Sequence, residues 1–533
     1  MRPIETSTGD FADFRIHGGI YVDKTAYFHR LVKNRNSRFL FLARPRRFGK
    51  SLMITALKAI FQGRRELFDG LDISRTNWEW EKWPVIHFDF SEVDATGPEA
   101  FDVTFTAAVK RRLADTGFAY DDMVPPSVNF GAAIDSLSSA NGGRGAVVLI
   151  DEYDAPVSHA LDDIAFADVV RKRMSAFYSV MKPRTGAIRF LMMTGVSKFT
   201  KLSVFSSLNN IVDISMDEGF ATMLGYTEDE LEKNFEEHLR EHARIMGKPY
   251  DEYRAEMKRW YNGFRFSPDD ATTVYNPISV ALTLARKQRD FRATWSSTGR
   301  PSTLMNYLNR RDVLAIDPER TRNVTERAFD TVNLTDLKPV GLLFQTGYLT
   351  IKDFSNGLYT LGVPDEEVRQ DLNILLAGVA ADRSVDWAAD LGAQLISREW
   401  EDFFIGLKSL YAAMAYGPTE SRVHENSYGR CLSFLLAGSG FRFTMEDVQA
   451  DGRADIVAEH AAGIYIFELN VDSPVDRAFA QIREKNYAAP YLAAGKPINL
   501  IGLSFDSKTR HLVDAAAETL AVNDSKGEDA RHV

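Results

Sequence analysis

Gly49-Lys50-Ser51 stands between the apolar run Phe39-Leu40-Phe41-Leu42-Ala43 and a second apolar stretch, Leu52-Met53-Ile54-Thr55-Ala56-Leu57. This pattern predicts strand, tight loop and helix, and Gly-Lys-Ser at the mouth of a helix is the phosphate-gripping end of a P-loop. In that arrangement backbone N–H groups at the helix start face the anion, Lys50 reaches the β and γ phosphates, and the Ser51 hydroxyl holds Mg²⁺. The usual spacing would place a glycine where this chain has Arg44. A basic helix start with an incidental Gly-Lys-Ser is therefore the plainer alternative on these residues alone.

Ala146-Val147-Val148-Leu149-Ile150-Asp151-Glu152 decides between the two. Continuous apolarity marks a strand covered on both faces in a parallel sheet, and two carboxylates at its carboxyl end form a Walker B pattern. Asp151 would bind Mg²⁺, mostly through its water shell, and Glu152 would orient or deprotonate the attacking water. A third apolar run, Ile188 to Met193, ends at Thr194-Gly195. Thr194 then takes the sensor position of P-loop ATPases that insert a strand between P-loop and Walker B, unless it is a plain strand end.

The elements that must position these groups follow from the same patterning. Gly19 to Thr25 leads into a helix through Tyr27, Phe28, Leu31 and Val32, capped by Asp23 or Thr25, and could lie against a nucleotide base. Trp83 to Ser91 reads as a strand in which His87 is a packed residue, and Asn210 to Ile214 as a fifth strand. From Met216 the pattern turns helical, with Thr227 capping a helix that buries Leu231 and Phe235 and a second helix reaching Trp260; Trp260 to Phe264 reads as a turn. Leu342 to Val368 reads as helix, hairpin, helix, a winged-helix-like unit. Asp365, Glu366 and Glu367 at its second helix suit the helix dipole and a packing role better than a phosphate backbone.

Composition bounds the rest. At 533 residues the chain exceeds a single core, and a net charge of −10 argues against a general nucleic-acid coat, so any phosphate contact must be local. The single cysteine, Cys431, excludes an internal disulfide framework and a cysteine-cluster zinc site and reads as a buried thiol. No apolar run reaches the ~18 residues needed to span a bilayer, and Met1 to Asp10 lacks a signal-peptide pattern, so a cytoplasmic protein without a membrane partner is expected.

Asp455, in Asp451 to Val457, and Glu468, in Gly463 to Asn470, fall near the ends of two adjacent expected strands. Paired carboxylates of this kind hold the Mg²⁺ of a nuclease, which activates water and stabilises the pentavalent phosphate. A lysine two residues after the glutamate normally lowers the water pKa; here that position is Asn470. An amide supplies no positive charge, although it can hydrogen-bond water or phosphate. Ala478 to Tyr487 is expected as a helix carrying Gln481, Lys485 and Tyr487.

Together, Tyr21 to Thr25, Arg44 to Leu52, Leu149 to Asp154, Thr194 to Lys198 and Ser207 to Asn210 resemble the bacterial AAA-ATPase-like family with a C-terminal PD-(D/E)XK nuclease-like domain. In that family Arg-Pro-Arg-Arg-Phe-Gly-Lys-Ser is the usual P-loop, so the resemblance places Arg46, Arg47, Phe48, Gly49, Lys50, Ser51 and Leu52 against ATP. It makes Lys50, Asp151, Glu152 and Thr194 catalytic and gives Mg²⁺ to Ser51 and Asp151. In the C-terminal domain it adds Glu425 as a metal ligand beside Asp455 and Glu468, with Gln481 and Tyr487 on the following helix.

The implied fold class is α/β: an AAA-like parallel sheet over 1–215, a helical lid over 216–335, a winged-helix-like and helical stretch over 336–415, a restriction-endonuclease-like domain over 416–522 and a disordered tail over 523–533. The implied function is ATP hydrolysis coupled to a nuclease-like domain that acts on or binds DNA or RNA. The alternative is an ATP-dependent switch whose inactive nuclease-like domain only binds nucleic acid or a protein partner. A homo-oligomer could complete the ATP site with a neighbour's arginine, for which Arg171, Arg173 and Arg189 are candidates.

Overall fold

The apolar runs become the strands of a five-stranded sheet: β1 (Phe39–Ala43), β2 (Val85–Asp89), β3 (Ala146–Asp151), β4 (Ile188–Gly195) and β5 (Val212–Asp213), in the order β2-β3-β4-β1-β5. Every pairing in it is parallel, and β4 lies between β1 and β3. That order puts the carboxyl ends of β1, β3 and β4 side by side, where a parallel sheet presents its ligand crevice. Every residue of β1, β3 and β4 is buried, as continuous hydrophobic strands covered on both faces require. The structure is a computed structural model that describes residues 1–197, 210–286, 289–294, 319, 321–329, 338–381, 383–415, 426–449, 452–509 and 511–520.

The chain divides into two compact units, Met1–Tyr307 with Asp317–Val368, and Leu308–Ile316 with Arg369–Val533. In the first, Thr227 caps the helix Glu228–Ile245 through a capping box with Glu230, and Leu231 and Phe235 face inward as expected. The second helix, Tyr250–Tyr261, packs with it in a core that also takes in Ile20 and Val22. The stretch expected as a turn instead forms a small ladder, β6 (Asn262–Phe264) with β7 (Val274–Tyr275), because Tyr226 and Tyr275 exchange backbone hydrogen bonds beside it.

Helix, hairpin and helix follow as read: Pro339–Thr346, β9 (Thr350–Ser355) with β10 (Leu358–Gly362), and Glu366–Ala381. A strand not foreseen, β8 (Thr321–Val324), joins β10 to make three. Asp365 caps the helix by accepting from the Val368 N–H at 3.0 Å. Glu367 departs from the dipole reading, because it is fully buried and bonded to residues far away in sequence.

The second unit carries a mixed sheet of β11 (Arg442–Gln449), β12 (Gly452–His460), β13 (Gly463–Val471), β14 (Ile498–Phe505) and β15 (Leu512–Leu520), in that order. Only β13 and β14 are parallel, and the helix Val475–Glu484 bridges them, its Val475, Phe479 and Ile482 entering the core. This helix ends earlier than expected: Lys485 is its exposed C-cap and Tyr487 lies beyond it, buried. Cys431 is buried and forms no disulfide, and His87 is packed, with burial lowering its pKa to about 4. No helix among the described residues is long and apolar enough to cross a membrane.

Candidate functional site

Lys50 opens the helix Lys50–Phe61 after the loop Arg44 to Gly49 that follows β1, with Gly49 as its N-cap in the left-handed region at φ 84°. A Cβ built on Gly49 meets nothing within 4 Å, so the loop opens onto free space where a phosphate would approach. The Lys50 ammonium is 4% exposed, donates to the Arg44 and Pro45 carbonyls at 3.2 Å each, and lies 3.4 Å from a Glu152 oxygen. An ammonium held on its own loop carbonyls and one carboxylate is placed to exchange them for phosphate oxygens. The chain therefore fits ATP: Lys50 and the loop N–H groups would hold the phosphates, and Mg²⁺ would neutralise their charge.

Thr194, at the end of β4, donates to Asp151 Oδ1 at 2.6 Å across the strand pair, and the Ser51 hydroxyl also bonds the Asp151 carboxylate. Burial, then the neighbouring Glu152, raise the Asp151 pKa to about 6; the Ser51 and Thr194 hydroxyls and Lys50 work against that rise. A carboxylate strained by desolvation is one that a cation stabilises. Glu152 holds a positive φ of 49° and is partly exposed, which turns it out of the strand towards Lys50. Asp154 lies beneath, fully buried, accepting from the Val196 and Ser197 N–H groups and the Ser197 hydroxyl. A Cβ on Gly195 would stand 2.2 Å from Asp154 Oδ1, so only glycine lets β4 end against that carboxylate.

Two of the loop's arginines are bonded to backbone carbonyls. Arg44 is buried and donates to the Ala43, Ser215 and Phe220 carbonyls, with its guanidinium 4.1 Å from the Phe266 ring centroid. Burial lowers its pKa to about 9. Arg47, at φ 69°, donates to the Thr294 carbonyl at 2.7 Å. Glu367 accepts from the Thr294 N–H and hydroxyl and from the Ser279 hydroxyl, each at 2.7 Å. Arg46 is exposed. Beside Gly49, Phe48 and Leu52, an open cavity of about 470 Å³ is walled by Tyr21, Phe28 and Tyr226, where an aromatic base could lie.

In the second unit, the register that sets Ile456 opposite Phe467 brings Asp455 beside Glu468. Asp455 Oδ2 accepts from the Leu469 N–H at 2.8 Å, and Gln481 donates to Glu468 Oε1. Glu468 is 2% exposed, its Oε2 has no partner, and neither has the buried amide nitrogen of Asn470. Burial first, then the Asp455 charge, raise the Glu468 pKa to about 8. An orphaned carboxylate oxygen beside a second carboxylate fits a divalent cation, which would activate water for attack on phosphate. Among the described residues no group of three metal-ligating side chains occurs, and Glu425, the third expected ligand, lies outside them.

Residues 5–205 match the profile of the family described as predicted AAA-ATPase, and residues 423–515 that of the PD-(D/E)XK nuclease superfamily. An Azotobacter chroococcum mcd 1 protein named "Uncharacterized protein in vnfD 5'region" is 31% identical over 516 residues, covering 94% of this chain and 95% of that protein. The chain belongs to this AAA-ATPase-like family. No solved structure matches it.

The AAA-ATPase-like sheet brings Lys50, Ser51, Asp151, Glu152 and Thr194 together, and the nuclease-like sheet brings Asp455, Glu468 and Gln481 together. Lys198 and Ser207 to Asn209 lie outside the described residues. Of the three candidate finger arginines, Arg171 pairs with Asp168 and Arg173 with Asp102. Arg189 is buried at the amino end of β4, the opposite end of the sheet from the P-loop. The sequence does not mark Asp154 and Glu367 as site-forming groups. The signal for Asp154 was its place in the Asp-Glu-Tyr-Asp run; for Glu367 there was none, since its partners are distant in the chain.

Proposed function

We propose that the chain binds ATP with Mg²⁺ at the P-loop and hydrolyses it, and that the helical and winged-helix-like region acts as a lid relaying this to the nuclease-like domain, which engages DNA or RNA. The observation that carries the reading is the buried Lys50 ammonium set between loop carbonyls and Glu152, beside an Asp151 already bonded to Ser51 and Thr194. Lys50 and the loop N–H groups bind the phosphates, Ser51 and Asp151 hold Mg²⁺, and Glu152 takes the proton of the attacking water. Thr194 fixes the Asp151 carboxylate. Such a chain would work in the cytoplasm, and its ATP site would be completed by a neighbouring copy.

Nucleotide binding and turnover measured on the full chain test this. Lys50→Ala should lose ATP binding, whereas Glu152→Gln should bind ATP and hydrolyse it at least ~100-fold more slowly, the usual scale for a lost general base. Unchanged turnover in either variant removes the assignment. The second reading, a nuclease-like domain that only grips its partner, is favoured by Asn470 at the lysine position, because its amide cannot offset charge developing on phosphate.

A further inference from the structure

At the amino end of the parallel sheet, away from the P-loop, lies an open cavity of about 610 Å³ whose lining includes His29, Lys33, Arg35, Trp78, Trp80 and Arg189. Arg189 is 6% exposed, and its Nη2 donates to the Val32 carbonyl at 3.1 Å. Its Nε and Nη1 have no acceptor, nor has the buried indole N–H of Trp78, and His29 Nε2 is likewise unpartnered. A buried donor left unmet is costly, and native structures rarely gather several in one place without a ligand or water to take them.

The charges around these donors are mixed but mostly positive. Burial first, then Arg35 and Arg38 as like charges, lower the Arg189 pKa while Glu81 works against that fall, and Lys33 and Arg35 are exposed lining residues. Two glutamates also line the cavity: Glu81 is paired with Arg144 at 3.2 Å, and Glu79 is exposed. In a chain of net charge −10 this is a local concentration of cations held together by the fold. Flat rings accompany them. The Arg189 guanidinium lies 5.4 Å from the Trp83 ring and 5.9 Å from the Phe61 ring, Trp78 is fixed edge-on to Phe61, and Trp80 packs on Phe68 while keeping part of its surface open.

Unmet guanidinium and indole donors suit phosphate oxygens, and indole faces suit a base. We propose that this cavity is a second ligand site, separate from the P-loop, for a nucleoside 5′-phosphate, with Arg189 and Trp78 donating to the phosphate and Trp80 taking the base. The same chemistry is offered by a free nucleotide and by the phosphorylated 5′ end of a nucleic-acid strand.

Calorimetric titration of the full chain with cytidine 5′-monophosphate, with cytidine, and with a 5′-phosphorylated tetranucleotide tests the site. The expected result is saturable binding of a phosphorylated ligand, at least tenfold weaker for cytidine, and unchanged in Lys50→Ala. Arg189→Met should weaken it at least tenfold; Arg35→Glu, a change at an exposed position that leaves the core intact, should weaken it several-fold and carries the test if the first variant fails to fold. Tighter binding of the tetranucleotide than of the mononucleotide supports the site and assigns the ligand as a strand end; the reverse order supports it and assigns a free nucleotide. Absence of saturable binding, equal affinity for cytidine, loss in Lys50→Ala, or indifference to Arg35→Glu overturns the proposal.

Discussion

Glu468→Gln should stabilise the chain at neutral pH, although it removes a residue at the centre of a candidate metal site. Folding raises this carboxyl from the ordinary 4.5 to about 8, mainly by burial, so its protonated form is favoured in the folded chain. The linked stability is fully present below pH about 4.5 and is lost as pH rises through about 8; at pH 7 the loss is about 3 kcal/mol, at pH 5 about 1 kcal/mol. Glutamine keeps an oxygen to accept from Gln481 but places an unmet N–H₂ where Oε2 is now orphaned, a cost of about 1 kcal/mol. The net gain is about 2 kcal/mol at pH 7 and near zero at pH 5. For a unit of this size that raises its melting temperature by about 4–8 °C at pH 7. Thermal unfolding of both forms from pH 5 to 8.5 reads this directly, followed by β13 amide exchange so that the second unit is observed by itself. Saturating Mn²⁺ should restore the wild type and leave the variant unmoved. A melting shift equal at pH 5 and pH 8.5, or a destabilised variant at pH 8.5, would refute the reasoning, because a desolvated carboxylate demands a pH-dependent difference.

Arg44→Gly, which restores the ordinary glycine of the P-loop pattern, should lower stability by about 3 kcal/mol by leaving the Ala43, Ser215 and Phe220 carbonyls unmet; an unchanged melting temperature would show that those bonds contribute nothing. Glu367→Ala should weaken ATP binding at least fivefold in equilibrium titration even though Glu367 reaches the loop only through Thr294 and Arg47, and an unaltered Kd would confine that network to packing. Asn470→Lys should gain Mn²⁺-dependent cleavage of DNA or RNA where the wild type leaves both intact; cleavage by the wild type would show that the amide suffices.

Much of the sheet was legible because its information is local. β3 and β4 are unbroken apolar runs, and Thr227 with Glu230 spells its own capping box. Asp151 was legible because it ends β3, whereas Asp455 and Glu468 lie inside β12 and β13, where the pairing register had to bring them together. What was not legible depends on partners far along the chain. Glu367 reads as a first-turn glutamate suited to the dipole, yet its acceptor oxygens are filled by Ser279 and Thr294. The helix end at Glu484 was missed because Lys485 and Tyr487 continue an amphipathic spacing, and only burial of Tyr487 beyond the helix shows that the spacing was fortuitous.

The arginines of the P-loop follow from the same long-range logic. A glycine-rich loop is free to wrap phosphate but costs conformational entropy to order. Arg44 bonds the stretch after β5, and Arg47 reaches the Thr294 carbonyl whose own N–H is held by Glu367. Both side chains therefore fix the loop before any phosphate arrives, and both do so through segments that follow the sheet in sequence. In the proposed ATPase, a phosphate that draws Lys50 off the Arg44 and Pro45 carbonyls alters the backbone from which these two tethers spring. A loop tied in this way has a route by which nucleotide state reaches the helical region that an untethered glycine loop would lack. On that proposal Arg44 and Arg47 would serve coupling, with the phosphate left to Lys50 and the loop N–H groups.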